Sequence, residues 1–177
     1  MTQRRLFDES LEPLRDATLS ACRTYRYSLL RVWDHDLLPT LWLMLNPSTA
    51  DALRDDPTIR RCIGFARSWG AGGIIVCNLF AFRSPSPVAL TKAHQAGADV
   101  LGPDRNRHIL DALQRVDNVV CAWGSHALAQ QHAPDVLSLI PEGMEVSCLG
   151  TTSDGSPRHP LYLSSLTQRQ RYPLTAR

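Results

Sequence analysis

Residues 56–79 read DPTIRRCIGFARSWGAGGIIVCNL, and this stretch decides the fold. Asp56 followed by Pro57 is typical of a helix start, and apolar residues then recur at helical spacing up to Trp69. Glycines end this helix before the unbroken apolar run of residues 74–79, which is typical of a strand buried on both faces. A helix that leads into a buried strand predicts one step of a parallel α/β sheet.

The same alternation extends along the chain on both sides of this stretch. Further strands are predicted at residues 41–45, 116–123 and 144–149, with helices between them. This order predicts an α/β fold, a three-layer α/β/α sandwich with a mostly parallel, four-stranded central sheet. An added N-terminal strand is predicted at residues 25–33, and the turn after it predicts a hairpin with the strand at 41–45.

Length and composition predict one globular domain. The chain has 177 residues without a linker or repeat, so we expect a single domain over residues 1–177, with a polar N-terminal arm at 1–22 and a basic tail at 165–177. Charged residues make up 20% of the chain, and no apolar run approaches the length of a membrane helix, which argues against disorder and a membrane span. The N-terminus has no apolar signal-peptide core and the five cysteines are widely spaced, which predicts a cytoplasmic protein with reduced thiols.

Charge and histidine spacing narrow the choice of ligands. The six histidines show no metal-ligand spacing, so neither a metal nor a cofactor is predicted. The net charge is only +2, but Lys92 is the single lysine among 19 basic residues, and arginine binds phosphate through two parallel hydrogen bonds. The segment 155–177 holds four arginines and no acid, which suits an anionic partner and equally a solvated tail.

Polar residues collect where the predicted strands end. Residues 46–51 follow the first core strand, Asn78 lies near the end of the second, and residues 124–126 and 157–160 follow the third and fourth. Because ligands of parallel sheets bind beyond the carboxyl ends of the strands, these segments predict one binding site. A turn and helix entry would also explain residues 46–49, whereas the amide of Asn78 in a buried strand must bond to backbone or to a ligand.

Taken in order, these residues resemble the motifs of the uracil-DNA glycosylase superfamily over residues 40–165. Residues 44–48, MLNPS, are similar to the first motif, and Asn78 matches the asparagine that reads the base edge. Residues 123–127, WGSHA, match the third motif, and residues 159–164, HPLYLS, keep four of the six positions of the last. The chain resembles the bacterial domain-of-unknown-function 1643 family more closely. This resemblance rests on the motifs NPSTAD, DPTIRRC, NLFAFR and PRHPLY, and it implies no established activity.

The chain departs from the glycosylase motifs at defined positions. The first motif lacks its leading glycine, and Asn46 stands where many members have aspartate. Ser48 replaces the tyrosine that excludes thymine in the uracil-specific branch, which implies a pocket open to 5-substituted bases. Leu161 and Tyr162 replace serine and proline of the last motif, which removes a phosphate-binding hydroxyl.

The resemblance implies a metal-free DNA glycosylase that hydrolyses the N-glycosidic bond of a flipped-out uracil-like or modified pyrimidine, in repair or in defence against phage with modified bases. The implied catalytic residues are His159, which would donate to the leaving base, and Asn46, which would hold the attacking water. The implied base-binding residues are Asn78, Pro47, Ser48 and Phe80. The implied DNA-binding residues are Arg83, Ser125, Arg158, Arg169, Arg171 and the apolar wedge Leu163. We expect a monomer that binds DNA and no membrane.

Two other function classes stay open at this point. One is a small-molecule nucleoside or nucleotide hydrolase that uses the same edge of the sheet. The other is a non-catalytic nucleic-acid or nucleotide-binding module, which the asparagine of the first motif and the altered last motif favour.

Overall fold

The computed structural model describes residues 13–48 and 50–173. The strands within them are β1 (Leu14–Leu19), β2 (Arg26–Val32), β3 (Pro39–Met44), β4 (Gly73–Asn78), β5 (Asn118–Cys121), β6 (Glu145–Cys148) and β7 (Gln170–Arg171). The α-helices are α1 (Pro57–Ser68), α2 (Pro87–Gln95), α3 (Arg105–Leu113) and α4 (Ala127–Leu137), and a 3-10 turn covers Pro160–Tyr162.

The fold is α/β, and its sheet is larger than predicted. In the described residues seven strands form one mixed sheet in the order β1-β2-β4-β3-β5-β6-β7. The parallel block is β4-β3-β5-β6, while β1, β2 and β7 pair antiparallel at its edges. The prediction of four strands with one addition was therefore wrong. Strands β1 and β7 are exposed edge strands that carry charged residues, so they lack the buried apolar pattern by which a strand is recognised.

The predicted hairpin between β2 and β3 was also wrong, because β4 lies between them. Leu29 of β2 pairs with Val76 of β4, and Leu41 of β3 pairs with Ile75 on the other side of the same strand. The hairpin partner of β2 is β1, which lies in the predicted polar arm. Residues 1–12 of that arm and 174–177 of the predicted basic tail lie outside the described residues.

Helices cover both faces of the sheet. Alternate residues of β3 enter two separate core clusters, with Leu41 on one face and Trp42 on the other. The cluster around Trp42 includes the buried residues of α1, and the cluster around Leu41 includes those of α2, α3 and α4. No helix among the described residues is long and apolar enough to cross a membrane.

The helices differ in how they begin. Pro87 begins α2, and only Leu90 of this helix is buried, so its apolar pattern is weak. Helix α4 is preceded by His126, and the Ser125 hydroxyl before it donates to Asp154 at 2.6 Å. The start of α1 is as predicted, since the Asp56 carboxylate accepts a hydrogen bond from the backbone N–H of Ile59 at 2.8 Å.

The order of the parallel strands creates a crevice at one edge of the sheet. From β3 the chain passes through α1 to β4 on one side, whereas β5 lies on the other side of β3. Neighbouring strands whose connections leave in opposite directions open a crevice beyond their carboxyl ends, which is where ligands bind in open α/β sheets.

Candidate active site

A cavity of about 470 Å³ lies at these carboxyl ends. Its volume is in the range of small-molecule sites and is sufficient for a nucleobase. Of the residues predicted from the sequence, it is lined by Asn46, Ser48, Asn78, Ser125 and His159. The expectation that separate strand ends meet at one site is therefore confirmed for these five side chains.

Asn46 is held with its amide oxygen available. Its Nδ2 donates to the carbonyl oxygens of Pro47 at 3.1 Å and Ser84 at 3.2 Å, and to the Ser84 hydroxyl at 2.9 Å. Because carbonyl oxygens only accept hydrogen bonds, the nitrogen of the amide must point toward them. The Oδ1 atom of Asn46 is thereby left as an acceptor for a ligand or water.

Asn78 is the most unusual polar residue of the site. It is 2% exposed at the end of β4 and lines the cavity. Neither its Nδ2 nor its Oδ1 atom has a hydrogen-bond partner among the described residues, although both atoms are buried. A buried amide without partners destabilises the free protein, so this side chain is explained by a ligand better than by the fold.

His159 is held as a neutral donor. Its Nδ1 atom accepts a hydrogen bond from the backbone N–H of Leu161 at 3.3 Å, which leaves the ring proton on Nε2. Burial lowers the pKa of His159, while the carboxylate of Asp56 acts in the opposite direction. The imidazole is therefore neutral at pH 7, and its Nε2–H is available to the cavity.

Arg26 is a site residue that the sequence did not reveal. It lines the cavity at 2% exposure, and its Nη1 donates to the Ala50 carbonyl at 2.6 Å. A β-bulge turns it there, since Ser28 and Arg26 pair with adjacent residues of β1 and leave Tyr27 as the extra residue. Without the bulge, strict alternation would place Arg26 on the opposite face of the sheet, so no sequence period could identify it.

The first turns of three helices open on the cavity. Asp56 at the start of α1, Ser86 at the start of α2 and His126 at the start of α4 all line it. Ser86 and Asp56 cap their helices, whereas His126 makes no side-chain cap. The Nε2 atom of His126 contacts the Thr91 hydroxyl at 3.3 Å, and its Nδ1 is buried without a partner. Helix N-termini carry partial positive charge, so this edge favours negative groups.

Tyr162 occupies the position that was expected for Leu163. Tyr162 lines the cavity and is 87% exposed. Leu163 is partly buried against the core cluster of α1, and its carbonyl accepts a hydrogen bond from Arg61. Leu163 is thus placed against the core rather than on the cavity lining, and the large exposed side chain beside the cavity belongs to its neighbour.

Two predicted base-binding residues lie outside the cavity lining. Phe80 is fully buried in the core cluster of α3 and α4, where its ring packs edge-on against His132 at 5.2 Å. Pro47 is buried, and its carbonyl accepts hydrogen bonds from the Ser84 backbone N–H and from Asn46. Phe80 thus belongs to the core, and Pro47 positions Asn46.

The predicted phosphate contacts are not brought together. Arg169 pairs with Glu145 at 3.6 Å and stacks over Trp69, which places its guanidinium at the amino ends of the parallel strands, away from the cavity. Arg171 lies on the edge strand β7, and Arg83 donates to the Arg23 carbonyl at 3.1 Å. Of the predicted arginines, only Arg158 is exposed directly beside a site residue.

Ser125 lines the cavity, but its hydroxyl is already engaged by an acid. It donates to Asp154 at 2.6 Å, and together with the Thr152 hydroxyl it holds the pKa of that carboxylate well below its usual range. A phosphate at Ser125 would meet this negative charge. No group of three or more histidine, cysteine or acidic side chains in the described ranges could hold a metal ion.

Comparison with known proteins places the chain in a family. No curated protein and no solved structure matches it. The family model described as "Protein of unknown function (DUF1643)" matches residues 26–161, which include every side chain discussed above that lines the cavity except Tyr162. Because this match spans most of the chain, the protein belongs to the DUF1643 family.

Proposed function

We propose that this protein is a DNA glycosylase that hydrolyses the N-glycosidic bond of a flipped-out, uracil-like or modified pyrimidine base. The observation that carries the proposal is the unpartnered amide of Asn78 at the cavity. An amide offers one acceptor and two donors side by side, which match the adjacent N–H and carbonyl groups of a pyrimidine edge. The base would satisfy both atoms that the fold leaves unpaired.

The two other polar groups offer the hydrogen-bonding atoms that the reaction would require. As the bond between C1′ and the base nitrogen breaks, its electron pair moves onto the base, and the Nε2–H of neutral His159 would stabilise that charge. The Oδ1 of Asn46 would accept a hydrogen bond from the water whose oxygen bonds to C1′. The water then gives one proton to solvent and keeps the other as the C1′ hydroxyl, while the departing base anion takes up a proton from solvent. An amide is too weak a base to take that proton, so Asn46 acts by positioning.

The layers of the fold support the same reading. The glycosylase motifs imply a three-layer arrangement, and helices that pack on both faces of the parallel strands are consistent with it. The motif residues Asn46, Asn78 and His159 come from separate segments of the chain and line one cavity. This convergence is the outcome expected if the motif resemblance reflects a shared site.

DNA is proposed as the substrate because of the surface around the cavity. Tyr162 is almost fully exposed at its edge, where an aromatic ring is suited to fill the space that a flipped base leaves in the stack. Arg158, next to His159, is exposed toward solvent and suits a phosphate. A hydrolase of free nucleosides would need neither side chain.

The proposal is tested by base release from a panel of duplexes that carry normal, deaminated and 5-substituted pyrimidines. We expect release from one class of base, and the His159→Ala variant should slow the chemical step by about 10²–10³-fold. His132→Ala is the matched control, since His132 is also partly buried but packs on Phe80 away from the cavity. Its release rate should be unchanged.

Other outcomes of the same assay would refute the proposal. Release from free nucleosides without release from DNA would identify a small-molecule hydrolase. Binding to DNA without release of any base would identify a non-catalytic module. Equal rates for wild type and His159→Ala would remove His159 from the mechanism.

A further inference from the structure

Arg26 and Arg31 lie on the same strand and are equally buried, but only Arg31 has a complete set of partners. Arg31 is 3% exposed, pairs with Asp55 at 2.8 Å and donates to three backbone carbonyls. Arg26 forms no ion pair with any described residue, donates to one carbonyl, and has a buried Nε without a partner. The fold therefore accounts for Arg31 and leaves Arg26 incompletely satisfied.

A buried cation that forms no ion pair is unfavourable unless a ligand supplies an anion. Burial lowers the pKa of Arg26 to about 10, against the opposing effect of the Asp56 carboxylate, so the guanidinium is still charged at neutral pH. Because Arg26 lines the cavity, a ligand bound in the cavity would lie next to Arg26. The expected ligand group is negatively charged.

The helix N-termini that open on the cavity also favour a negatively charged ligand group. The N-termini of α1, α2 and α4 open on it, and that of α4 has no side-chain cap. Asp56 is the one acid of the described lining, and one of its oxygens already caps α1. Asp56 opposes the binding of an anion but does not form an ion pair with Arg26.

We propose that the cavity contains an oxyanion subsite in which Arg26 binds a carboxylate or phosphate group of the ligand. The group comes either from an acidic substituent on the base or from a phosphate on its sugar. This subsite rests on the proposed function for its nucleoside ligand, but the observation that carries it is Arg26 rather than Asn78, Asn46 or His159.

The test is calorimetric titration with uridine, 5-carboxyuridine and uridine 5′-monophosphate, together with thermal melting in inorganic phosphate. We expect at least one anionic nucleoside to bind about 10- to 100-fold more tightly than uridine, which is the contribution of a charged hydrogen bond. Preference for 5-carboxyuridine identifies a substituent on the base as the source, and preference for the monophosphate identifies the sugar phosphate. Equal affinities for uridine, 5-carboxyuridine and uridine 5′-monophosphate would overturn the subsite.

Two variants make the assignment specific. Arg26→Gln should remove the preference for the anionic nucleoside, whereas Arg107→Gln, a change of an exposed arginine on α3 that pairs with Asp104 and does not line the cavity, should preserve it. Asp56→Asn should bind the anionic nucleoside several-fold more tightly, because asparagine caps a helix as well as aspartate does and only the opposing charge is lost. If Arg26→Gln does not fold, an unchanged preference in Asp56→Asn would overturn the proposal. Binding is measured separately from base release, so the two proposals can fail independently. A protein that prefers the anionic compounds but releases no base would refute only the glycosylase proposal. A protein that releases a base but shows no such preference would refute only the subsite.

Discussion

Replacing Asn78 with leucine should stabilise the free protein and abolish its recognition of the base. The two polar atoms of Asn78 are buried without partners in the described part of the chain, which lowers the free energy of unfolding by about 1–3 kcal/mol. Leucine has a similar branched shape, and it would contact Met44 and Val76, which line the same cavity. We therefore expect the free energy of unfolding to rise by about 1–3 kcal/mol, with an increase in Tm of about 2–4 °C for each kcal/mol.

The assay is urea unfolding followed by circular dichroism, together with equilibrium binding of the substrate duplex. The midpoint for Asn78→Leu should move to higher urea with an unchanged slope, while binding of the target base is lost. Ser147→Ala is the control for a buried polar residue that does have a partner, since its hydroxyl donates to the Val119 carbonyl at 3.2 Å. That variant should instead lose about 0.5–1.5 kcal/mol.

The sign of the change in stability decides between two roles for Asn78. An Asn78→Leu protein that is less stable than wild type would mean that the amide is bonded within the folded chain, and its role would then be structural. An Asn78→Leu protein that is more stable than wild type but still discriminates the target base would mean that Asn78 does not recognise the base. A gain in stability with a loss of recognition is the pattern of a residue kept for function.

Two further predictions concern His159 and the arginines. Burial lowers the pKa of His159 below its ordinary value of 6.5, so the unfolded chain takes up the proton first and stability should fall as the pH drops below about 6.5. Urea unfolding between about pH 5 and pH 8 should show that His159→Gln loses less stability at low pH than wild type does. Some loss should remain in the variant, because burial also lowers the pKa of His108. Identical pH profiles for the two proteins would contradict this coupling. In salt titrations of DNA binding, Arg158→Ala should reduce the slope of log K against log salt by about 0.9, whereas Arg169→Ala, which loses only the contacts with Glu145 and Trp69, should leave it unchanged. An affinity independent of salt would exclude phosphate contacts altogether.

The parallel core of the fold could be predicted because its signals are local. The apolar runs of β3, β4, β5 and β6 and the capped start of α1 are properties of short segments, and all were placed to within a few residues. The edge strands β1 and β7 could not be predicted, because an exposed strand has no apolar pattern and forms only when a neighbour supplies hydrogen bonds. The same reasoning explains the wrong hairpin, since which strand lies beside β2 depends on packing across the whole sheet.

Some residues of the candidate site could also be predicted from the sequence, and others could not. The sequence by itself determined that Asn46 follows and Asn78 lies near the end of an apolar run, and that His159 lies in the loop after the last predicted core strand. Only the tertiary structure decided that Arg26 joins them, because one extra residue in β2 reverses the face on which its side chain lies. It also decided that Phe80 is core and that the Arg169 guanidinium contacts Glu145 and Trp69, since burial and ion pairing depend on residues distant along the chain. Residue type and spacing are written in the sequence, whereas the direction of a side chain is set by the neighbours that the folded chain brings to it.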